Sequence, residues 1–101
     1  MNKDLLEKIN NGEKINVEFK LAFSKLPSSL FETICAFLNR NGGYIFLGID
    51  DNKNVVGVDK NNIVQMKKDF TNLCNNPQKI FPTVYLKINE LEIENKTVLY
   101  I

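Results

Sequence analysis

The feature that most constrains this chain is the run Tyr44-Ile45-Phe46-Leu47-Gly48-Ile49, apolar almost throughout and bounded on both sides by loop-forming residues. A strand with one face in water alternates apolar and polar residues, whereas an unbroken apolar run belongs to a strand buried on both faces. Before it, Asn39-Arg40-Asn41-Gly42-Gly43 gathers residues that tolerate positive φ, and after it Asp50-Asp51-Asn52-Lys53-Asn54 turns the chain. The rest of the molecule must supply cover for this strand.

The remaining segments have that character. Leu5, Leu6 and Ile9 recur at helical spacing before Asn10-Asn11-Gly12, which predicts an opening helix over residues 3 to 11. Ile15, Val17 and Phe19 alternate with Asn16, Glu18 and Lys20, a strand whose polar face carries Glu18 and Lys20 side by side. Residues 22 to 26 lack a period and are read as a surface crossing. Pro27-Ser28-Ser29 starts a second helix, in which Leu30, Phe31, Ile34, Cys35, Phe37 and Leu38 are dense enough to require burial on more than one side. Val55, Val56 and Val58 are predicted to return antiparallel to the buried strand, with Gly57 marking a bulge or a close approach. Asn61-Asn62 is read as the cap of a third helix, striped by Ile63, Met66, Phe70 and Leu73 and stopped by Asn75-Asn76-Pro77. From Thr83 the pattern is again that of a strand, followed by a tight Glu94-Asn95-Lys96 turn and a last strand over residues 97 to 101. Strands and helices mixed with short hairpins predict an α+β fold: one compact domain, its mixed and mostly antiparallel sheet packed against about three helices.

A chain of 101 residues can bury one modest core, and 44% apolar with 25% charged residues is ordinary globular composition. Thirteen Lys and Arg against twelve Asp and Glu leave a formal charge of +1, which excludes an overall basic field. A nucleic-acid site therefore has to come from local patterning. Cys35 and Cys74 lack the paired short spacing of a zinc site and read as buried free thiols. No apolar run approaches the ~18 residues of a membrane span, and the first residues are not of the secretory kind, so a cytoplasmic setting is expected. The last strand stops without a terminating turn, and the chain reads as an N-terminal fragment of a longer protein.

Three segments, taken in order, carry a family resemblance: Val17-Glu18-Phe19-Lys20, then the sixteen residues from Ala36 to Asp51, then Val55-Val56-Gly57-Val58. In order and spacing they resemble the Schlafen AlbA-type domain, over nearly the whole chain. The resemblance implies a DNA-binding role, often at the N-terminus of bacterial transcriptional regulators, ATP-binding proteins or RecG-like helicases. Related domains of animal Schlafen proteins include metal-dependent RNA endonucleases that use two glutamates and an aspartate; the matching positions here are Glu13, Glu18 and Asp51.

Those carboxylates have a physical reading of their own. Glu13 precedes the first strand, Glu18 lies on its polar face and Asp51 ends a neighbouring strand, so a sheet can bring all three to one edge. Mg²⁺ or Mn²⁺ prefers clustered oxygen ligands and can activate a water there. Lys20, on the same face as Glu18, can hold a phosphate. Plainer readings stand beside these. Any half-exposed strand shows Glu and Lys alternating with apolar residues, and Asp50-Asp51-Asn52 has hairpin-turn chemistry, in which Asn would serve as well at Asp51. Gly42-Gly43 suits a tight helix-to-strand turn or a backbone approach to phosphate. No Gly-Lys-Ser or Gly-Lys-Thr follows a glycine-rich loop, so ATP binding by this chain is unsupported.

Three functions follow. The first is a nucleic-acid-binding module, for DNA rather than RNA, using Lys20, Lys25, Arg40 and backbone groups at Gly42 and Gly43. The second is a divalent-metal-dependent endoribonuclease using Glu13, Glu18 and Asp51; the chain has no histidine for acid–base work. The third is an interaction module or homo-oligomer in which the last strand, as an exposed edge, pairs with another chain. Tyr44 and Tyr85 are read as possible stacking partners for bases or as cross-strand core residues.

Overall fold

The computed structural model describes residues 3–13, 16–38, 42–74 and 86–101. In chain order the elements are α1 (Lys3–Asn10), β1 (Val17–Lys20), α2 (Leu30–Leu38), β2 (Tyr44–Leu47), α3 (Ile63–Cys74), β3 (Asn89–Ile93) and β4 (Lys96–Tyr100). The described strands form one sheet in the order β1-β2-β4-β3, with β1 and β2 parallel and the other two pairs antiparallel. The fold is α+β with a mixed, mostly antiparallel sheet, as the sequence predicts.

The sheet is covered on both faces, which is what the unbroken apolar β2 demands. Alternate residues of a strand face opposite ways. Ile45 and Leu47 join Leu30, Ile34 and Phe37 of α2 and Ile63, Met66 and Phe70 of α3 in one cluster. Phe46 and Ile49 join Leu5 and Ile9 of α1, Val17 and Phe19 of β1 and Val98 of β4 in the other. Phe46 has no exposed surface and is ringed by Phe19, Tyr44 and Tyr100, with centroids 6.1, 6.2 and 6.2 Å away. Burying one such side chain stabilises the fold by roughly 1.5–3 kcal/mol, so the two clusters together dominate its stability.

Several elements depart from the sequence reading. Residues 55–58 form no strand against β2: Ile49 and Val55 make a single antiparallel bridge, because β4 occupies the free edge of β2 through Phe46↔Tyr100 and Leu47↔Leu99. Val58 instead donates to the Thr97 carbonyl at 2.8 Å. The last strand is accordingly not an exposed edge; β4 lies between β2 and β3 with Thr97, Val98 and Leu99 buried. Asn61 and Asn62 do not cap the third helix but lie in a 3₁₀ turn, Lys60–Asn62, that leads into α3 and is itself capped by Asp59, whose side chain accepts from the Asn61 N–H at 3.0 Å. Residues 86–88 are not strand and β3 begins at Asn89; 83–85 lie outside the described residues. The β3–β4 turn is the expected tight one, with Glu94 and Asn95 both at positive φ. Both cysteines are free, Cys74 buried and Cys35 half-buried.

Gly57 does make a close approach. Its N–H and that of Val56 both donate to the Gly48 carbonyl at 2.8 Å, and a Cβ on Gly48 would stand 3.1 Å from the Gly57 backbone. Gly48 also has φ +108°, whereas Gly42 has φ +84° with no described atom within 4 Å of a Cβ. Gly48→Ala is expected to cost about 2–3 kcal/mol of unfolding free energy, and Gly42→Ala only about 1–2 kcal/mol. Urea midpoints of the two variants check the order.

Candidate functional site

β1 and β2 are parallel, so both end at the same side of the sheet, and α2, which connects them, begins there. This carboxyl-end crevice is where open parallel segments gather ligands, since a helix N-terminus adds unpaired N–H groups. Val17 and Phe19 are committed to the α1 face, which turns Glu18 and Lys20 toward the α2 face. The Lys20 Nζ donates to Ser29 Oγ at 2.8 Å, immediately before α2, and the Lys20 carbonyl accepts from Gly48 N–H at 2.7 Å, just beyond β2. Lys20, Leu21, Pro27, Ser29, Asp50 and Asp51 help to line a cleft of about 300 Å³ at this point.

The acidic residues come to the same end of β1. Asn16 and Lys20 direct their carbonyls at β2, so Phe19 presents its N–H outward, where Glu13 Oε2 accepts it at 3.1 Å. Glu18 is partly buried, and its carboxyl is held above the ordinary value. Desolvation is the main cause, the charge of Glu13 adds to it, Lys20 opposes it, and a hydrogen bond with Glu13 and the charge of Asp51 raise it further. Glu13, Lys20 and Asp51 thus all lie within electrostatic range of Glu18. Among the described residues, however, no group of three or more carboxylate, thiol or imidazole side chains is arranged to hold a metal ion.

Asp50 and Asp51 divide the two readings of their turn between them. Asp50 Oδ1 accepts the N–H groups of Asn52 and Asn54, each at 2.9 Å, and Oδ2 accepts Asn54 Nδ2 at 3.1 Å. These bonds, the Asn54 N–H first, hold the Asp50 carboxyl below its ordinary value. Turn chemistry therefore belongs to Asp50, while Asp51 is exposed along the cleft.

The other residues singled out from the sequence separate. Lys25 is exposed in the loop between β1 and α2. Gly42 and Gly43 lie at the opposite end of β2 from Leu47, beside Asn16 rather than Lys20. A Cβ on Gly43 would stand 2.7 Å from the Asn16 carbonyl oxygen and 2.9 Å from the Phe37 ring, so this glycine serves the helix-to-strand packing. Arg40 and Tyr85 lie outside the described residues. Tyr44 stacks on Phe46 and carries the Lys8 ammonium 4.7 Å from its ring centroid, a core-edge role. A wider hollow of about 440 Å³ runs along α3 beside Val64, Lys67, Lys68, Thr71 and Asn72. The described residues lining it belong to α3, and Lys67 is paired with Glu90 at 2.6 Å. The sequence reading missed Ser29 as a partner of Lys20 and gave no role to Leu21, which lines the cleft, or to Phe23, which projects from the same loop.

The sequence matches the family described as Schlafen, AlbA_2 over residues 13–101. The chain belongs to the Schlafen AlbA_2 family. This AlbA_2 domain is 34% identical over 71 residues to an uncharacterized ATP-binding protein of Ureaplasma parvum serovar 3, a match covering 67% of the chain. It spans about a fifth (20%) of that relative's length. In structure it resembles the N-terminal domain of a RecG-related protein from Nitrosomonas europaea, with a TM-score of 0.71, 25% identity, and coverage of 97% of this chain and 69% of the other. Among the described residues no helix of the AlbA_2 domain is long and apolar enough to cross a membrane.

The raised Glu18 has a consequence for stability. A carboxyl whose folded pKa lies above its unfolded one binds more protons in the native state, so its contribution falls as pH rises from about the ordinary value of 4.5 through the raised value. Glu18→Gln removes this penalty and keeps an N–H donor toward Glu13. The variant should be more stable than the wild type at pH 7, with the difference vanishing below about pH 4. Thermal denaturation across pH 3.5–8 measures it, and a variant less stable at neutral pH would refute the assignment.

Proposed function

We propose that this AlbA_2 domain is a nucleic-acid-binding module, for DNA, that receives phosphate at the crevice between β1, β2 and α2 as part of a longer regulatory or helicase-related protein. The observation that carries the reading is Lys20: its ammonium is fixed by Ser29 at the mouth of a cleft where two parallel strands end and a helix begins. Lys25, exposed on the adjoining loop, adds a second cation. The family, and the likeness to a protein described as related to the ATP-dependent DNA helicase RecG, support the same reading. The ATP-binding description of the Ureaplasma relative refers to a protein of which the match spans only 20%, and this chain has no phosphate-binding glycine loop with its lysine.

With a net charge of only +1, affinity should be moderate and strongly salt-dependent. Lys20→Ala is expected to weaken DNA binding several-fold at low salt and to reduce the slope of log affinity against log salt by about 1, the worth of one phosphate contact. Fluorescence anisotropy with a labelled oligonucleotide at several salt concentrations measures both. Absence of wild-type binding at low salt to duplex, single-stranded DNA and RNA alike would sink the reading.

A second reading rests on the like charges at Glu18. Glu13 and Asp51 both act on it, an arrangement that a Mg²⁺ or Mn²⁺ ion would relieve, and an ion there could supply the activated water of an endoribonuclease. Glu13, Glu18 and Asp51 are not grouped as a metal site among the described residues, so this reading requires the ion itself to draw their carboxylates together. On this reading RNA incubated with the domain and Mn²⁺ is cut, and Glu18→Gln abolishes cutting while binding persists; uncut RNA at high enzyme concentration with Mn²⁺ rules it out.

A further inference from the structure

The loop that leaves β1 exposes two large apolar side chains. Leu21 and Phe23 are 56% and 59% exposed, while Ala22 between them is buried at 5%. The segment therefore turns two apolar groups outward around an inward anchor, and the chain bends over residues 23–25. It is also held by its backbone, since the Phe23 carbonyl accepts the Asp59 N–H at 2.7 Å. Phe23 is thus an exposed ring on a fixed support, three residues from Lys20 and two from Lys25. Three extended residues span at most about 10 Å, so the ring and the two cations fall within reach of one short ligand.

The charge around the cleft limits what that ligand can be. Lys20 and Lys25 favour phosphate, but Glu18 and Asp51 oppose it, and the chain as a whole carries only +1. Phosphate contacts alone can give little affinity here. The missing attraction has to come from a ligand that also offers flat apolar surface. A duplex buries its base faces in its own stack; an unpaired strand exposes one beside each phosphate, and stacking on an aromatic ring is insensitive to base identity.

Building on the phosphate role proposed for the crevice, we infer that its ligand is single-stranded nucleic acid, with one base stacked on Phe23, its edge against Leu21, and the adjoining phosphate at Lys20 and Lys25. The β1–α2 loop is then a stacking platform, and the domain prefers a separated strand to a duplex.

The chain has no tryptophan, so Phe23→Trp introduces a single reporter at the platform. Titration of that variant with oligothymidylate should quench its fluorescence, while an abasic oligonucleotide of equal phosphate number should not. For the unlabelled protein, Phe23→Ala should weaken oligothymidylate binding by roughly tenfold or more with an unchanged salt slope, the mark of a lost stack rather than a lost phosphate contact. A Phe23→Tyr variant should retain near wild-type affinity, which separates stacking from loss of fold. If the wild type binds in a salt-sensitive way but Phe23→Ala binds equally well, or duplex is preferred, the platform is refuted while the phosphate role of Lys20 stands. If the wild type binds no nucleic acid, both fall. If Phe23→Ala abolishes only self-association, the ring is a protein contact and the inference is overturned.

Discussion

The structure depends on one constraint, that β2 has no face and no edge it can leave in water. Its faces are closed by α1 on one side and by α2 and α3 on the other, and its edges by β1 and β4. Every other placement follows from this. α2 must cross from the end of β1 to the start of β2 because the two are parallel, and that crossover brings its first turn to the ends of both strands. Since Val17 and Phe19 are used up in covering Phe46, the polar pair Glu18 and Lys20 can only face α2. The crevice is in this sense a by-product of burying a single strand.

The position of Glu18 expresses the same tension at the level of charge. A carboxylate on the helix-facing side of an edge strand is partly taken out of water, and two further carboxylates lie within electrostatic range. Lys20 compensates in part, but it is itself turned toward Ser29. The like charges around Glu18 favour its protonated form. Phosphate at this site must approach from the Lys20 and Lys25 side, leaving the acidic residues behind it.

Much of this was legible in the residues. Unbroken against alternating hydrophobicity separated the central strand from β1, and the Ile63, Met66 and Phe70 stripe located α3. Two kinds of information were not. Pairing order was one: Val55, Val56 and Val58 look like a hairpin partner for β2, and only a non-local strand at the far end of the sequence displaces them. Periodicity is local and cannot register that competition. The other was which side chains turn outward after β1: residues 22 to 26 read as a surface crossing, yet Ala22 is buried while Leu21 and Phe23 project. Of the candidate site residues, Glu13, Lys20 and Asp51 gather around Glu18 because strand parity and parallel topology bring them there, whereas Gly42 and Gly43, read with Lys20 and Lys25 as one phosphate site, lie at the other end of β2.

The Glu13 contact has a further consequence. β1 is an outermost strand, and its outward Phe19 N–H is the donor that a strand of another molecule would have to use. The Glu13 carboxylate already occupies it, so an incoming backbone would meet a negative charge where it needs a free hydrogen-bonding position. An acidic residue that bears on the chemistry of the crevice thereby also makes this position of the β1 edge a less favourable template for an added strand.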